Sequence, residues 1–306
     1  MYTLFRSRKM KITAKRFALV LAAAVMAAAG SARTFTDSTG RTVEVPSSIK
    51  KIAPSGPLAQ LVLYTVCPDK LAGVAKKFNA QQMTVIPQKY AKLPQFGQFY
   101  GKNANLNMEA LMGAAPDVVI DIGEKKKTEK EDMDNLQKQI GIPVIFIEAK
   151  TTTMDKAYTM LGDLTGDKDT AVKLASYCRS VLDTAATRKA QIKKTRSVYF
   201  ATGTGLDTDA QGSFHAEAID VIGAKNAADI AAQSTGGTTK VSFEQLLMWN
   251  PDVIIVEGDK LYQTIKADSL WNKLDAVKNG RLYHIPDVPY SFISNPPSVN
   301  RIIGIS

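Results

Sequence analysis

Short apolar runs alternate along the chain with segments whose apolar residues recur at helical spacing. Ile49–Ala53, Leu71–Ala75, Val118–Asp121 and Pro143–Ile147 predict buried strands, and Pro57–Thr65, Met108–Gly113 and Lys130–Gln139 predict helices between them. Ahead of these, Phe35–Val45 alternates around Ser38-Thr39-Gly40 and predicts a hairpin. Strands that alternate with helices imply a parallel sheet packed on both faces. The middle of the chain breaks the rhythm. Met154–Leu164 predicts a helix ending at Gly166, and Asp167 to Lys193 then runs without Pro or Gly. A helix of that length is about 39 Å long at 1.5 Å per residue, enough to span a domain. Beyond it the alternation restarts, with strands expected at Ser197–Ala201, Asp252–Glu257 and Arg281–Ile285, and helices at Ala216–Ile222, Phe243–Met248 and Leu270–Leu274.

A repeat ties the two halves together. Residues Asn107–Ile120 align without a gap on Ser242–Ile255, with Glu109 on Glu244, Leu111 on Leu246, and Pro116-Asp117-Val118 on Pro251-Asp252-Val253. A helix ended by Pro-Asp before a strand is a common device of α/β folds. That device does not account for the repeated glutamates.

The first residues follow a different logic. Arg6, Arg8, Lys9, Lys11, Lys15 and Arg16 precede an apolar run, Phe17–Ala29, and then the small residues Gly30-Ser31-Ala32. This is the order of a secretory signal peptide, with cleavage expected after Ala32; the run is too short to span a bilayer. No cysteine near that site offers a lipid attachment point, so a soluble, non-lipidated periplasmic product is expected. Removing the six basic residues lowers the net charge from +10 to +4, so most of the basicity belongs to the leader. The dense basic run Lys125-Lys126-Lys127 is followed by Glu129, Glu131 and Asp132, which suits a solvated helix face better than a nucleic-acid surface. Cys67 and Cys178 read as two buried thiols, and sequence alone does not bring them within bonding distance.

The hairpin segment Thr36–Pro46, the two glutamate-to-Pro-Asp-Val blocks, Val221–Ala227 and Asn295–Gly304 together resemble the periplasmic binding proteins of iron-siderophore, haem and cobalamin importers. The resemblance implies two Rossmann-like α/β lobes with parallel sheets, joined by a single long helix, with a ligand cleft between them. On that basis residues 33–153 form the N-terminal lobe, 154–194 the connecting helices and 195–306 the C-terminal lobe. Relatives continue past the last motif into a terminal helix, so a truncated second lobe is expected. The resemblance also implies that Glu109 and Glu244 dock on arginines of an ABC permease and its ATPase complex. The alternative is two solvated carboxylates favoured by a helix N-terminus. The expected cargo is a metal chelate, with an iron-siderophore favoured over haem, cobalamin or a nickel or cobalt complex. The protein is expected to be a monomer with no intrinsic cofactor.

Ligand loops should lie at the carboxyl ends of the strands. They are Ser55–Pro57, Phe96–Tyr100, Gly203–His215, Gly258–Tyr262 and Val288–Phe292. In these loops Phe99, Tyr100, Tyr290 and Phe292 offer flat apolar walls, with core packing the competing role. His215 opens a helix and is either a metal or ligand contact or a surface histidine, whereas His284 lies in an apolar strand. No Cys/His/Asp spacing suits a resident metal, so any metal arrives already chelated. A catalytic reading is weak: Gly203-Thr-Gly205 lacks the third glycine of a dinucleotide fingerprint, and neither a nucleophile elbow nor a phosphate loop is present. An exported hydrolase and a metal-sensing module on the same fold are the rival classes. Turnover of a chromogenic ester would mark the first.

Overall fold

The computed structural model describes residues 31–101, 104–231, 238–294 and 299–306. The basic and apolar stretch within residues 1–30, read above as a signal peptide, and Asn295–Ser298 of the last motif lie outside them. Two parallel sheets form the cores. The first has the order β3-β4-β5, from Ile52–Pro54, Val118–Gly123 and Val144–Glu148. The second has the order β11-β10-β6-β8, from Leu282–Ile285, Val253–Glu257, Ser197–Ala201 and Lys225–Asn226, and β7 (Asp207–Thr208) pairs antiparallel with β9 (Thr239–Lys240) apart from it. Side chains of alternate residues enter opposite cores, as a period of two requires. Ile52, Val118, Ile120, Ile145 and Ile147 pack on one face of the first sheet; Ala53, Val119, Val144 and Phe146 pack on the other. Tyr199, Ile254 and Val256 face one side of the second sheet, and Val198, Phe200 and Ile255 face the other. Both sheets are thus covered twice, which explains why their strands read as continuous apolar runs.

The hairpin forms from β1 (Ala32–Thr36) and β2 (Thr42–Pro46). Its turn is fastened to β5 by a buried pair that the sequence reading did not single out. Asp37 accepts from the backbone N–H groups of Thr39 and Arg41 and pairs with Arg41 at 3.0 Å. Arg41 also donates to the carbonyl of Val144 at 2.9 Å. The strand expected at Leu71–Ala75 is reduced to two isolated bridges, Ile52 with Leu71 and Val74 with Gln95. The fully buried ring of Phe96 fills the space that a side chain at Gly73 would need, 2.3 Å from a Cβ placed there.

The helices on the first sheet are α1 (Pro57–Val66), α2 (Met108–Ala114) and α3 (Glu129–Ile140). The connection is α4 (Met154–Thr165) followed by the long α5 (Lys168–Ala190), 23 residues or about 35 Å. On the second lobe lie α6 (Glu217–Val221), α7 (Phe243–Trp249), α8 (Asp259–Ala267) and α9 (Asp275–Lys278), and α10 (Val299–Ile305) returns to the first core, where Val299 and Ile302 are buried. The helix expected at Leu270–Leu274 is a single 3-10 turn, Trp271–Lys273. Cys67 and Cys178 are unpaired and buried in the same core, and burial pushes each thiol up to about 12.

α10 lies on α5 and α6 and carries the largest fully buried side chain described, Arg301. Its guanidinium donates to the carbonyls of Ile293 (2.6 Å), Ser294 (2.7 Å) and Phe214 (2.8 Å), to Thr151 Oγ1 (3.0 Å) and to Glu217 Oε2 (3.2 Å). The same Glu217 oxygen accepts from the N–H of Thr151 at 2.9 Å and from its hydroxyl at 2.7 Å. Thr151 follows β5 of the first sheet and Glu217 opens α6 on the second, so one buried cation joins both to the chain's return.

The sequence repeat is a structural repeat. α2 and α7 are each seven residues long, each capped by a side chain that accepts from the third residue onward, Asn107 from Ala110 and Ser242 from Gln245. Each ends in a left-handed residue that is not glycine, Ala115 and Asn250. The Pro-Asp carboxylate then holds the adjacent parallel strand: Asp117 accepts from the N–H groups of Lys50 (2.7 Å) and Lys51 (2.8 Å), and Asp252 from that of Ser197 (2.8 Å). We expect Asp117→Ala and Asp252→Ala each to cost about 1.5–2 kcal/mol in urea unfolding, the lower part of the range for hydrogen bonds to a charged group. The Ser197 N–H is the main cause holding the Asp252 carboxyl below its usual value. Its contribution is therefore complete above the unfolded carboxyl's pKa and disappears as pH falls through the lower folded one. A D252A deficit that stayed constant down to pH 2 would contradict this.

Candidate functional site

The carboxyl ends of β3, β4, β10 and β11 face a cleft between the lobes. Its main cavity, ≈ 430 Å³, is bounded on the first lobe by Pro57, Gln60, Leu61, Lys76, Lys77 and Gln82. On the second lobe it is bounded by Glu257, Asp287, Pro289, Tyr290 and Ser291. A smaller cavity of ≈ 200 Å³ lies in the first lobe between Ser55–Ala59, Gln98, Tyr100, Gly101, Asp121, Ile122 and Lys126, with Pro57 in the wall of both.

Each wall is built by local bonding. Buried Gln60 on α1 makes two bonds to the main chain of Lys76, accepting from its N–H at 2.9 Å and donating to its carbonyl at 3.0 Å. That clamp fixes the segment following the Leu71–Ala75 run against the helix. Glu257, the last residue of β10, accepts from the Ser291 hydroxyl. Ser291 Oγ in turn accepts from the N–H of Ser294 at 3.2 Å. Burial raises the Glu257 carboxyl's pKa, and the nearby charges of Asp209 and Asp287 raise it further. In the smaller cavity, buried Asp121 accepts from both the Ser55 hydroxyl and the Tyr100 phenol, and the ammonium of Lys126 lies 5.4 Å from the centre of the Tyr100 ring. Burial pushes the Asp121 carboxyl up against the lowering effect of its two donors. Burial and Asp121 together push the Tyr100 phenol up.

The aromatic residues singled out in the sequence are distributed unequally. Tyr100 and Tyr290 line the cavities. Phe99 is a core residue, 6% exposed, packed with Phe96, Leu111 and Phe146. The main chain of Phe292 packs on Gly304, where an added Cβ would meet its carbonyl oxygen at 2.0 Å. His215 stacks edgewise on Phe214 at 5.9 Å, borders neither cavity, and has a buried Nδ1 without a hydrogen-bond partner. His284 is an exposed position on the edge strand β11 and stacks on Tyr262 at 5.1 Å, so the reading of an apolar strand interior is corrected. The loop expected at Gly258–Tyr262 is the start of α8, entered through Gly258 at φ +86°. Among the described residues no group of three His, Cys, Asp or Glu could hold a metal ion. Glu109 and Glu244 are exposed in the first turns of α2 and α7. The sequence reading missed Gln60, Lys76, Lys77, Glu257 and Asp287, although all but Gln60 end or follow predicted strands.

Two doubly covered parallel sheets, one long connecting helix and a cleft walled from both sides define a two-lobe solute-binding architecture. The model for the periplasmic binding protein family matches residues 68–289, and the chain belongs to that family. Among curated relatives, the high-affinity heme uptake system protein IsdE of Staphylococcus aureus (strain Newman) is 26% identical over 223 residues, covering 69% of this chain and 72% of its own length. Among solved structures, an ABC transporter solute binding protein from Sulfurospirillum deleyianum superposes with a TM-score of 0.81 at 29% identity, covering 89% of this chain and 86% of that one. The molybdate-bound periplasmic protein MolA of Haemophilus influenzae superposes at 0.68 with 19% identity, covering 88% and 87%, a likeness of fold.

Tyr100→Phe keeps the ring and removes one of the two donors to Asp121. We expect it to cost about 1.5–3 kcal/mol near neutral pH, the scale for a hydrogen bond to a charged partner. Asp121 titrates above its usual value, so the stability its charged form costs is recovered as pH falls through the folded pKa. Loss of a donor moves that recovery to higher pH, so the variant's deficit should shrink on acidification. A deficit that grew instead would contradict the assignment.

Proposed function

We propose that this protein is the exported solute-binding component of an ABC importer, which takes a metal chelate into the cleft between its lobes and delivers it to a membrane permease. The observation that carries this is the ≈ 430 Å³ cavity walled by both lobes. Such a cavity suits a compact ligand held by a few oriented polar groups rather than a macromolecule. A doubly hydrogen-bonded main chain on one wall and a serine-held carboxylate on the other provide that orientation. An iron complex is the favoured cargo. The haem-uptake relative supports haem beside an iron-siderophore as the form in which the iron arrives.

In this reading Tyr100 and Tyr290 contact the cargo, and α5 together with the Arg301 node limits the lobes to modest closure. Glu109 and Glu244 dock on cationic residues of the permease. Their support is the matched geometry of two capped helices, one per lobe, each presenting an exposed carboxylate in its first turn. Two carboxylates on separate lobes can report lobe spacing to a partner through charge-assisted bonds.

Ligand capture is tested by thermal unfolding with haem, a ferric trihydroxamate and cobalamin. One of them should raise the melting temperature in a concentration-dependent way, as expected for a ligand that binds only the folded state. No shift with any of them, together with turnover of a chromogenic ester, would favour the exported-hydrolase class. Docking is tested by Glu109→Lys combined with Glu244→Lys. The double variant should lose most transport into permease-containing proteoliposomes while its ligand Kd stays within about twofold of the parent, because rim charges govern encounter rather than the remote site. An equal loss of ligand affinity would place these residues in the cargo site instead.

A further inference from the structure

The two walls of the main cavity carry opposite charge. The first lobe contributes Lys76 and Lys77 and no carboxylate; the second contributes Glu257 and Asp287 and no cation. Among the described residues these groups form no ion pair across the cleft. The Lys77 ammonium donates to the carbonyls of Ala91 (3.2 Å) and Leu93, which leaves its charge in place. Lys76 and Asp287 have no side-chain partner there. Behind Glu257 lies Asp209, 1% exposed, with both carboxylate oxygens lacking a hydrogen-bond partner; it acts on Glu257 and also on the buried Arg301 cation, which offsets it, so the wall's charge rests on Glu257 and Asp287.

We infer that the cleft selects a bipolar chelate, with acidic groups turned toward Lys76 and Lys77 and a cationic or hydrogen-bond-donating end turned toward Glu257 and Asp287. This rests on the cleft being the cargo site. A uniformly anionic chelate gains against one wall and is repelled by the other; a bipolar one is matched at both and is also fixed in orientation.

The test uses three linear ferric trihydroxamates with one iron core: one with a terminal carboxylate and a terminal ammonium at opposite ends, one N-acetylated at the amine, and one amidated at the acid. Isothermal titration should give the first the lowest Kd, with each capped form weaker by about tenfold, the scale of one modest charge contact. In Lys76→Gln the penalty for capping the acid should vanish while that for capping the amine remains. In Asp287→Asn the reverse should hold. Capped forms that bind as tightly as the bipolar one, or variants that weaken all three equally, would overturn the inference. Failure of all three to bind while haem or cobalamin still stabilises the protein would overturn it too and leave the cargo reading intact. Failure of every chelate would remove both.

Discussion

The architecture depends on one buried cation. Arg301 is 1% exposed and has taken a guanidinium out of water, which costs several kcal/mol before any partner is counted. Burial accordingly lowers its pKa to about 10, against the raising effects of Glu217 and Asp209. Three carbonyls, a hydroxyl and a carboxylate compensate, and they come from three separate parts of the chain, Thr151, Phe214–Glu217 and Ile293–Ser294. Removing one partner would leave the others bonding to an under-satisfied charge, so the parts must stay assembled together. The node therefore ties the segment after β5 to α6 of the second lobe and fixes how the chain returns to α5. The cleft inherits its geometry from that junction.

The repeated unit shows how the same local chemistry solves the same problem twice. A seven-residue helix is too short to be stable by propensity alone. In each lobe a capping side chain satisfies one end, a left-handed residue stops the other, and the aspartate of Pro-Asp spends its carboxylate on the neighbouring strand. Only one face of each helix is then buried, through Leu111 and Leu246. The glutamate two residues past the cap is left in solvent on both lobes. Its exposure follows from the packing, and its repetition does not, which is why it carries a functional reading.

Much of the fold was legible because buried parallel strands announce themselves as apolar runs. Ser197–Ala201 forms over the residues expected, and Val253–Glu257 and Leu282–Ile285 begin one residue late. The long helix is shorter than expected at its C-terminal end, where Gln191, Lys193 and Lys194 are polar and all of 191–194 are exposed. The site was less legible. Phe99 and Tyr100 are neighbours of similar type, but Phe99 is buried in the core while Tyr100, packed on the edge of the same core, also lines a cavity. Lys76, Glu257 and Asp287 look like ordinary surface charges in sequence. Only the parallel topology, which gathers the ends of several strands at one edge, makes them neighbours.

The opposed walls bear on how such a cleft stays open. With no cargo between them, the Lys76 and Asp287 sides attract each other, and nothing in the walls themselves resists closure. Resistance must come from the connection. α5 is a single 23-residue helix packed along α4 and crossed by α10, and the Arg301 node pins the lobe ends beside it. Bending a packed helix or breaking that node costs more than solvent-screened charges at the rim can return. The stiffness of the connection and the polarity of the cleft are therefore complementary. The rod keeps the opposite charges apart in the free protein, so that a bipolar ligand meets them unpaired and need not first displace an ion pair.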